Sequence, residues 1–143
     1  MALYYHGCMF RFPVILCAAA ALTLAADSSS DAAARGKYLV EEVGKCQECH
    51  TPRLDTGVLD KTKWLQGADL DFQPIKEVKG WHKTSPNLTP AGKLWARWGE
   101  AGLTKFMETG AGPKGNPADP PMPAYKLTHA DAEAVVAYLK TLK

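Results

Sequence analysis

The chain has 143 residues, of which 46% are hydrophobic and 22% charged, and its formal net charge is +2. That balance fits one folded domain and excludes both an intrinsically disordered chain and a second independent core. With 17 basic against 15 acidic residues, nothing supports the strongly basic surface of a nucleic-acid-binding protein.

Residues 1–26 differ in character from the rest. Arg11 precedes the apolar run Phe12-Pro13-Val14-Ile15-Leu16-Cys17 and the small residues Ala18 to Ala21. Ala25 and Ala26 then offer a cleavage site before Asp27-Ser28-Ser29-Ser30, the layout of a secretory signal peptide. The apolar run is shorter than the ~20 residues of a membrane-spanning helix, so cleavage is expected, with a retained anchor as the alternative. Val14-Ile15-Leu16 lacks the small residue that would precede a lipid-modified Cys17, and Met9 offers a second start. The expected mature domain is 27–143, in which 16 basic residues face 15 acidic ones for a net +1. Cys8 and Cys17 leave with the leader, so Cys46 and Cys49 are the only cysteines expected in the exported chain. In an oxidising compartment two thiols so close form a disulfide unless something consumes them.

The first element is a predicted amphipathic helix in "SDAAARGKYLVEEVGKC". Ala32, Gly36, Leu39, Val40 and Val43 recur there at helical spacing, with Ser30 or Asp31 as the expected cap. Gly36 within the stripe costs about 1 kcal/mol of helix propensity, so close contact with another helix is expected in compensation.

Directly after it comes "GKCQECHTPR", residues 44–53. Three uses of its thiols compete. A thioredoxin-like redox pair needs a preceding strand, whereas this motif follows a helical pattern. A structural zinc site needs four ligands and finds here Cys46, Cys49 and a histidine, with no second CxxC in the sequence. Covalent haem attachment needs two thiols for the two vinyl groups and an adjacent imidazole for the iron, and Cys46-x-x-Cys49-His50 supplies all three. The spacing favours haem c.

Further along, Leu103, Phe106 and Met107 in "LTKFMETG" share one face of a predicted helix that Gly110 terminates, with Trp95 and Trp98 as packing residues at its start. Met107 is read as core. Met122 lies instead in "DPPMPAY", where Pro120, Pro121 and Pro123 hold a stiff loop able to present a thioether to a metal. Met122 is therefore the expected distal iron ligand, with His82 as a competitor and a plain hydrophobic plug as the bland alternative. His129, in the first turn of the last helix, is expected to face solvent. That helix, "THADAEAVVAYLKTLK", carries a capping box from Thr128 to Asp131 and a buried stripe of Ala132, Val135, Val136, Leu139 and Leu142. Between the terminal helices no sustained alternation of apolar and polar residues occurs, so the expected class is all-α with long loops, which a large apolar cofactor would justify.

Taken together, these residues resemble the class I c-type cytochromes from about Ala34 to Lys143. The likeness rests on the Gly36 helix, the CxxCH site, "SPNL" at Ser85 to Leu88, the helix ending at Gly110, "PPMPAY" and "AVVAYLKTL". The resemblance implies the cytochrome c fold, three to five helices with long loops wrapped around one haem bound covalently through Cys46 and Cys49. It implies His50 and Met122 as iron ligands, and Gly36 packed against the last helix near Val135 and Tyr138. It further implies that the Pro86 carbonyl accepts the Nδ1 proton of His50 and that Leu88 lines the haem. Among members of the family, the sequence is most similar to bacterial periplasmic monohaem cytochromes and to the haem domains that serve periplasmic dehydrogenases. One departure is an extra loop between His50 and Pro86 containing Trp64, Phe72 and Trp81. Either Trp64 or Trp81 is expected to donate to a haem propionate, unless the aromatics only close a satellite core.

A haem with both axial positions filled has no place for substrate. The expected function is that of a non-enzymatic, periplasmic carrier of single electrons between a redox donor and an acceptor, such as a dehydrogenase or terminal oxidase. It would be a monomer or a subunit of a redox complex. Lys45, Arg53, Lys83, Lys114 and Lys126 form a possible basic rim, although a mature charge of +1 gives little steering. The nearer rival is a dedicated cytochrome subunit of a dehydrogenase or oxidase complex. The farther one is a ligand-binding or peroxidase-like protein in which Met122 is labile.

Overall fold

In the computed structural model the chain is described for residues 29–143, and the expected leader, residues 1–26, lies outside them. Helix α1 runs through residues 29–38 and closes in a wider π-helical turn, Leu39–Val43. Because Ser30 and Asp31 are already helical, neither is the cap expected of them. The wide turn shifts the register of the stripe. Leu39 and Val40 are buried in the core, while Val43 lies outside it on the wall of an apolar cleft.

Helix α2, Gln47–His50, is a single turn that carries the CxxCH residues. A three-residue 3₁₀ turn, Lys61–Lys63, follows, and then two short antiparallel strands, β1 (Ala68–Asp69) and β2 (Thr84–Ser85). At two residues each they are too short for alternation to reveal them, and the class remains all-α as expected.

Helix α3, Lys93–Thr109, is kinked at Gly99, whose φ of 61° and ψ of −178° interrupt the helical path. Gly110 ends it in the left-handed region at φ 69°, its N–H bonded to the Phe106 carbonyl, as the C′ reading required. Helix α4, His129–Lys140, begins at Thr128, whose side chain accepts the Asp131 N–H. The Asp131 carboxylate in turn accepts from Arg35 Nε at 2.9 Å, tying α4 to α1.

The core forms where α4 meets both other long helices. Leu39, Val40, Leu65, Ala134, Val135, Tyr138 and Leu139 make one cluster, and Leu94, Leu103 and Val136 the other. Thus α4 is buried on two faces, α1 on one side and α3 on the other, which the single predicted stripe understated. Leu142 is only half-buried. Crossing of α1 and α4 is closest at Gly36, where an added Cβ would lie 1.8 Å from the Ala134 carbonyl oxygen and 2.8 Å from Tyr138 Cβ. No helix among the described residues is long and apolar enough to cross a membrane.

Candidate haem site

Helix α1 delivers the site. Its last turn ends with Gly44 N–H on the Leu39 carbonyl at 2.7 Å and Cys46 N–H on the Val40 carbonyl at 3.0 Å. Lys45 takes φ 50° between them, so the chain leaves α1 and re-enters a helical turn at once. Cys46 and Cys49 are both free thiols. Burial pushes the Cys46 thiol up to about 11 and raises Cys49 as well. The turn that carries them follows helix α1 rather than the strand a redox pair needs, and among the described residues no group of three or more His, Cys, Asp or Glu side chains gathers as a zinc site requires.

His50 is 5% exposed, and its Nδ1 lies 2.8 Å from the Pro86 carbonyl. That carbonyl can only accept, so Nδ1 carries the proton and Nε2 keeps the lone pair a metal requires. Burial lowers the His50 pKa, with the Pro86 bond opposing, and the ring is neutral at neutral pH.

The sequence did not reveal what holds Pro86 in place. The Ser85 hydroxyl donates to the Cys49 carbonyl at 2.5 Å and accepts the Ala68 N–H at 3.0 Å. Gly67 N–H bonds the His50 carbonyl at 2.8 Å, Leu65 N–H bonds the Thr51 hydroxyl at 2.9 Å, and Leu88 N–H bonds the Leu65 carbonyl at 2.9 Å. Leu65, completely buried, and Gly67 thus wedge the inserted loop between α2 and the Ser85–Leu88 segment. Gly67 has φ +87°, and a Cβ there would sit 2.7 Å from the Ser85 carbonyl oxygen. A glycine after "WLQ" was the one signal available.

An apolar cleft opens beside Cys46, lined by Leu39, Val40, Val43, Gly44, Met107, Tyr125, Leu127 and Val135. Met107 is on this wall as well as packed on the main core. Met122 is half-buried, in the loop that delivers Tyr125 and Leu127 to the cleft three and five residues later. Leu88 packs against both core clusters, its carbonyl accepting the Trp95 indole N–H at 2.7 Å. His82 points elsewhere: its side chain is exposed with Nε2 3.3 Å from Asp119, and its N–H bonds the Pro120 carbonyl at 2.8 Å. Exposed His129 pairs with Glu108 and Glu133.

The two loop tryptophans separate clearly. Trp64 packs on the main core, whereas the Trp81 indole nitrogen is buried with no hydrogen-bond partner. An orphaned N–H of that kind costs free energy unless a further acceptor completes it. A paired thiol turn, an imidazole with one free nitrogen, an apolar cleft and an orphaned indole donor together fit a haem with carboxylate side chains. Of the expected basic rim, Lys45 is tied to Glu42 and Arg53 to Glu48 and Asp71. Lys83, Lys114 and Lys126 remain exposed.

The helical fold and the CxxCH turn define a domain built to hold covalent haem. The sequence model of the Cytochrome c family matches residues 33–143, and the chain belongs to that family, whose members carry haem c. It is 40% identical over 111 residues to the diheme cytochrome c-type protein of Cereibacter sphaeroides, across 74% of this chain and 34% of that protein. It is 32% identical over 114 residues to the fructose dehydrogenase cytochrome subunit of Gluconobacter japonicus, across 76% of this chain and 21% of that subunit. Similarity to the gluconate 2-dehydrogenase cytochrome c subunit of Pantoea cypripedii is 34% over 118 residues, 76% of this chain and 26% of the relative. The chain therefore spans about a third or less of the length of these relatives.

Proposed function

We propose that this domain is an exported, periplasmic electron carrier that moves one electron at a time between redox proteins, with His50 and Met122 as the axial ligands of its haem. The observation that carries the reading is the His50 ring, buried and fixed by Pro86 at 2.8 Å, one residue after two free thiols on a single helical turn. When bound, haem supplies a one-electron ferric/ferrous couple. Cys46 and Cys49 would hold it as thioethers, so that it stays bound in both oxidation states. His50 would offer Nε2 and Met122 its sulfur, a pairing that favours the ferrous form and raises the potential. Leu39, Val40, Leu127 and Val135 exclude water from the cleft, which disfavours the additional charge of the oxidised state. Trp81 would donate to a propionate. With His50 and Met122 both committed to the iron, the domain would offer no substrate site of its own and would act by electron transfer alone.

Optical spectra test this. Protein matured in a cytochrome c assembly host is expected to show a weak far-red band when oxidised and no response to carbon monoxide when reduced. A missing band with rapid carbon monoxide binding would reject Met122 as the ligand and favour an open iron.

A second reading, a permanently docked cytochrome subunit, is favoured by the inserted loop. Phe72 is 44% exposed, Ile75 103% and Val78 40%, an apolar set that a partner would cover. Two of the relatives are dehydrogenase subunits by name. Tight co-elution with a dehydrogenase encoded beside it, lost on changing Ile75 and Val78 to serine, would establish this form.

A further inference from the structure

The loop that carries Met122 has few tethers of its own. Pro120, Pro121 and Pro123 have no N–H to donate. At its start the loop is fixed by His82 N–H on the Pro120 carbonyl at 2.8 Å and by Met122 N–H on the Asp119 carbonyl at 3.1 Å. Past Met122 the next backbone bond is Leu127 N–H to the Met107 carbonyl at 3.0 Å. Between those points one side-chain bond crosses the molecule, from the Tyr125 hydroxyl to the Gly44 carbonyl at 3.0 Å, spanning 81 residues of sequence.

Gly44 is the residue at which α1 ends, and its carbonyl is one of the groups a helix end leaves unpaired. Tyr125 satisfies it. The corner is tight: a Cβ on Gly44 would meet Cys46 Sγ at 3.1 Å and the Tyr125 hydroxyl at 3.4 Å. Thiol, carbonyl and phenol therefore meet at the edge of the cleft. Burial raises the Tyr125 pKa, so the hydroxyl stays a donor throughout the neutral range.

We infer that Tyr125 is a positioning residue: its bond to Gly44 holds the methionine loop against the haem-attachment turn, and so sets how readily Met122 leaves the iron. The inference rests on Met122 as the distal ligand. Its chemistry is simple, since a Met122 that swings away must carry Tyr125 with it or bend the two residues between them, Pro123 and Ala124. Loss of the bond frees the loop without touching either axial ligand.

The test is Tyr125→Phe in the haem-loaded protein, compared with Thr141→Val and Met122→Ala. Thr141→Val removes a hydroxyl bond of 2.7 Å to the Tyr138 carbonyl at the end of α4, away from the cleft. Tyr125→Phe is expected to keep covalent haem and its helical content, and to bind carbon monoxide about three- to tenfold faster when reduced, the ratio that one net hydrogen bond converts to. Its far-red band should also be lost at lower urea concentration than the helical signal. Thr141→Val should change neither reading. A carbon monoxide rate in Tyr125→Phe equal to that of the unaltered protein or of Thr141→Val overturns the inference, provided Met122→Ala opens the iron. Should Met122→Ala leave the spectrum and the carbon monoxide response unchanged, the ligand assignment itself fails, and the inference with it.

Discussion

Replacing Gly36 by alanine sets two effects of opposite sign against each other. Within an exposed helix the change would stabilise by about 1 kcal/mol, because alanine restricts the unfolded chain more than glycine does. Here the new Cβ would lie 1.8 Å from the Ala134 carbonyl oxygen, 2.5 Å from its carbon and 2.8 Å from Tyr138 Cβ. Two of the three atoms are backbone, so no side-chain rotation relieves the clash. Helix α1 must move away from α4 by roughly 1.5 Å to regain ordinary contact, enough to forfeit about half of the dispersion energy across the crossing. Leu39, Val40, Val135 and Leu139, all buried there, lose packing together. A cost of about 3 kcal/mol, the upper part of the overpacking range, outweighs the propensity gain and leaves a net loss of about 2 kcal/mol. Urea unfolding of the haem-loaded protein, followed by far-ultraviolet circular dichroism, measures it. The midpoint should fall with little change in slope. Unchanged or increased stability would show that the helices do not cross as closely as described, and would undo the account of how α1 positions the CxxCH turn.

Met122→Ala is expected to retain covalent haem, lower the midpoint potential and admit carbon monoxide, whereas Met107→Ala should cost about 2 kcal/mol of packing and leave the axial spectrum intact; redox titration with carbon monoxide spectra checks both. If the orphaned Trp81 indole donor completes its bonding on a propionate as proposed, Trp81→Phe should shift the potential and its pH dependence. Trp64→Phe should leave the potential alone and cost about 1 kcal/mol in lost packing on the main core, read by urea unfolding and voltammetry on both variants. His129 is held above its ordinary value of 6.5 first by its hydrogen bond to Glu108 and then by the Glu133 charge. Its stabilising contribution is therefore complete below that ordinary value and lost as pH rises through the raised folded value. The difference in urea midpoint between the unaltered protein and His129→Ala should hold steady below the ordinary value of 6.5 and narrow as pH rises from there through the raised folded value, and a constant difference would reject the ion pair.

Features of this fold that depend on one local rule were legible in the sequence. Gly110 as a helix stop, Thr128 as a cap and Gly36 as a crossing point each follow from the chemistry of a single residue type, and each stands where expected. The CxxCH spacing was equally local, being a fixed list of donors on one turn. Features that depend on how two distant segments meet were not legible. Val43 fits the stripe of α1 by counting, yet it lies outside the α1–α4 core, on the wall of the cleft beside Cys46. The burial of α4 on two faces required knowing that both α1 and α3 pack on it. Trp64 and Trp81 were indistinguishable as letters, and only the packing of the first on the main core and the unpartnered indole nitrogen of the second separate them.

The inserted loop shows the same limit most sharply, and it changes how the proximal side of the site is understood. Read by length alone, the stretch from Arg53 to Trp81 is an addition to a shorter scaffold, free to vary. Its middle, Leu65 to Asp69, is instead the piece on which the histidine side is assembled. Leu65 is wholly buried at φ 56°, a strained conformation that persists only where surrounding contacts over-determine it. Those contacts are the Thr51 hydroxyl on one side and the Leu88 amide on the other. Gly67 then bonds the His50 carbonyl, and Ala68 pairs with Ser85, whose neighbour Pro86 accepts from His50. Every route from Pro86 back to α2 in this set passes through the loop or through Ser85, which the loop holds. The orientation of the imidazole is therefore set by residues that belong to the insertion, while the insertion's outer half leaves Phe72, Ile75 and Val78 exposed. The inner half of this one segment thus fixes the His50 ring, while its outer half carries exposed apolar side chains.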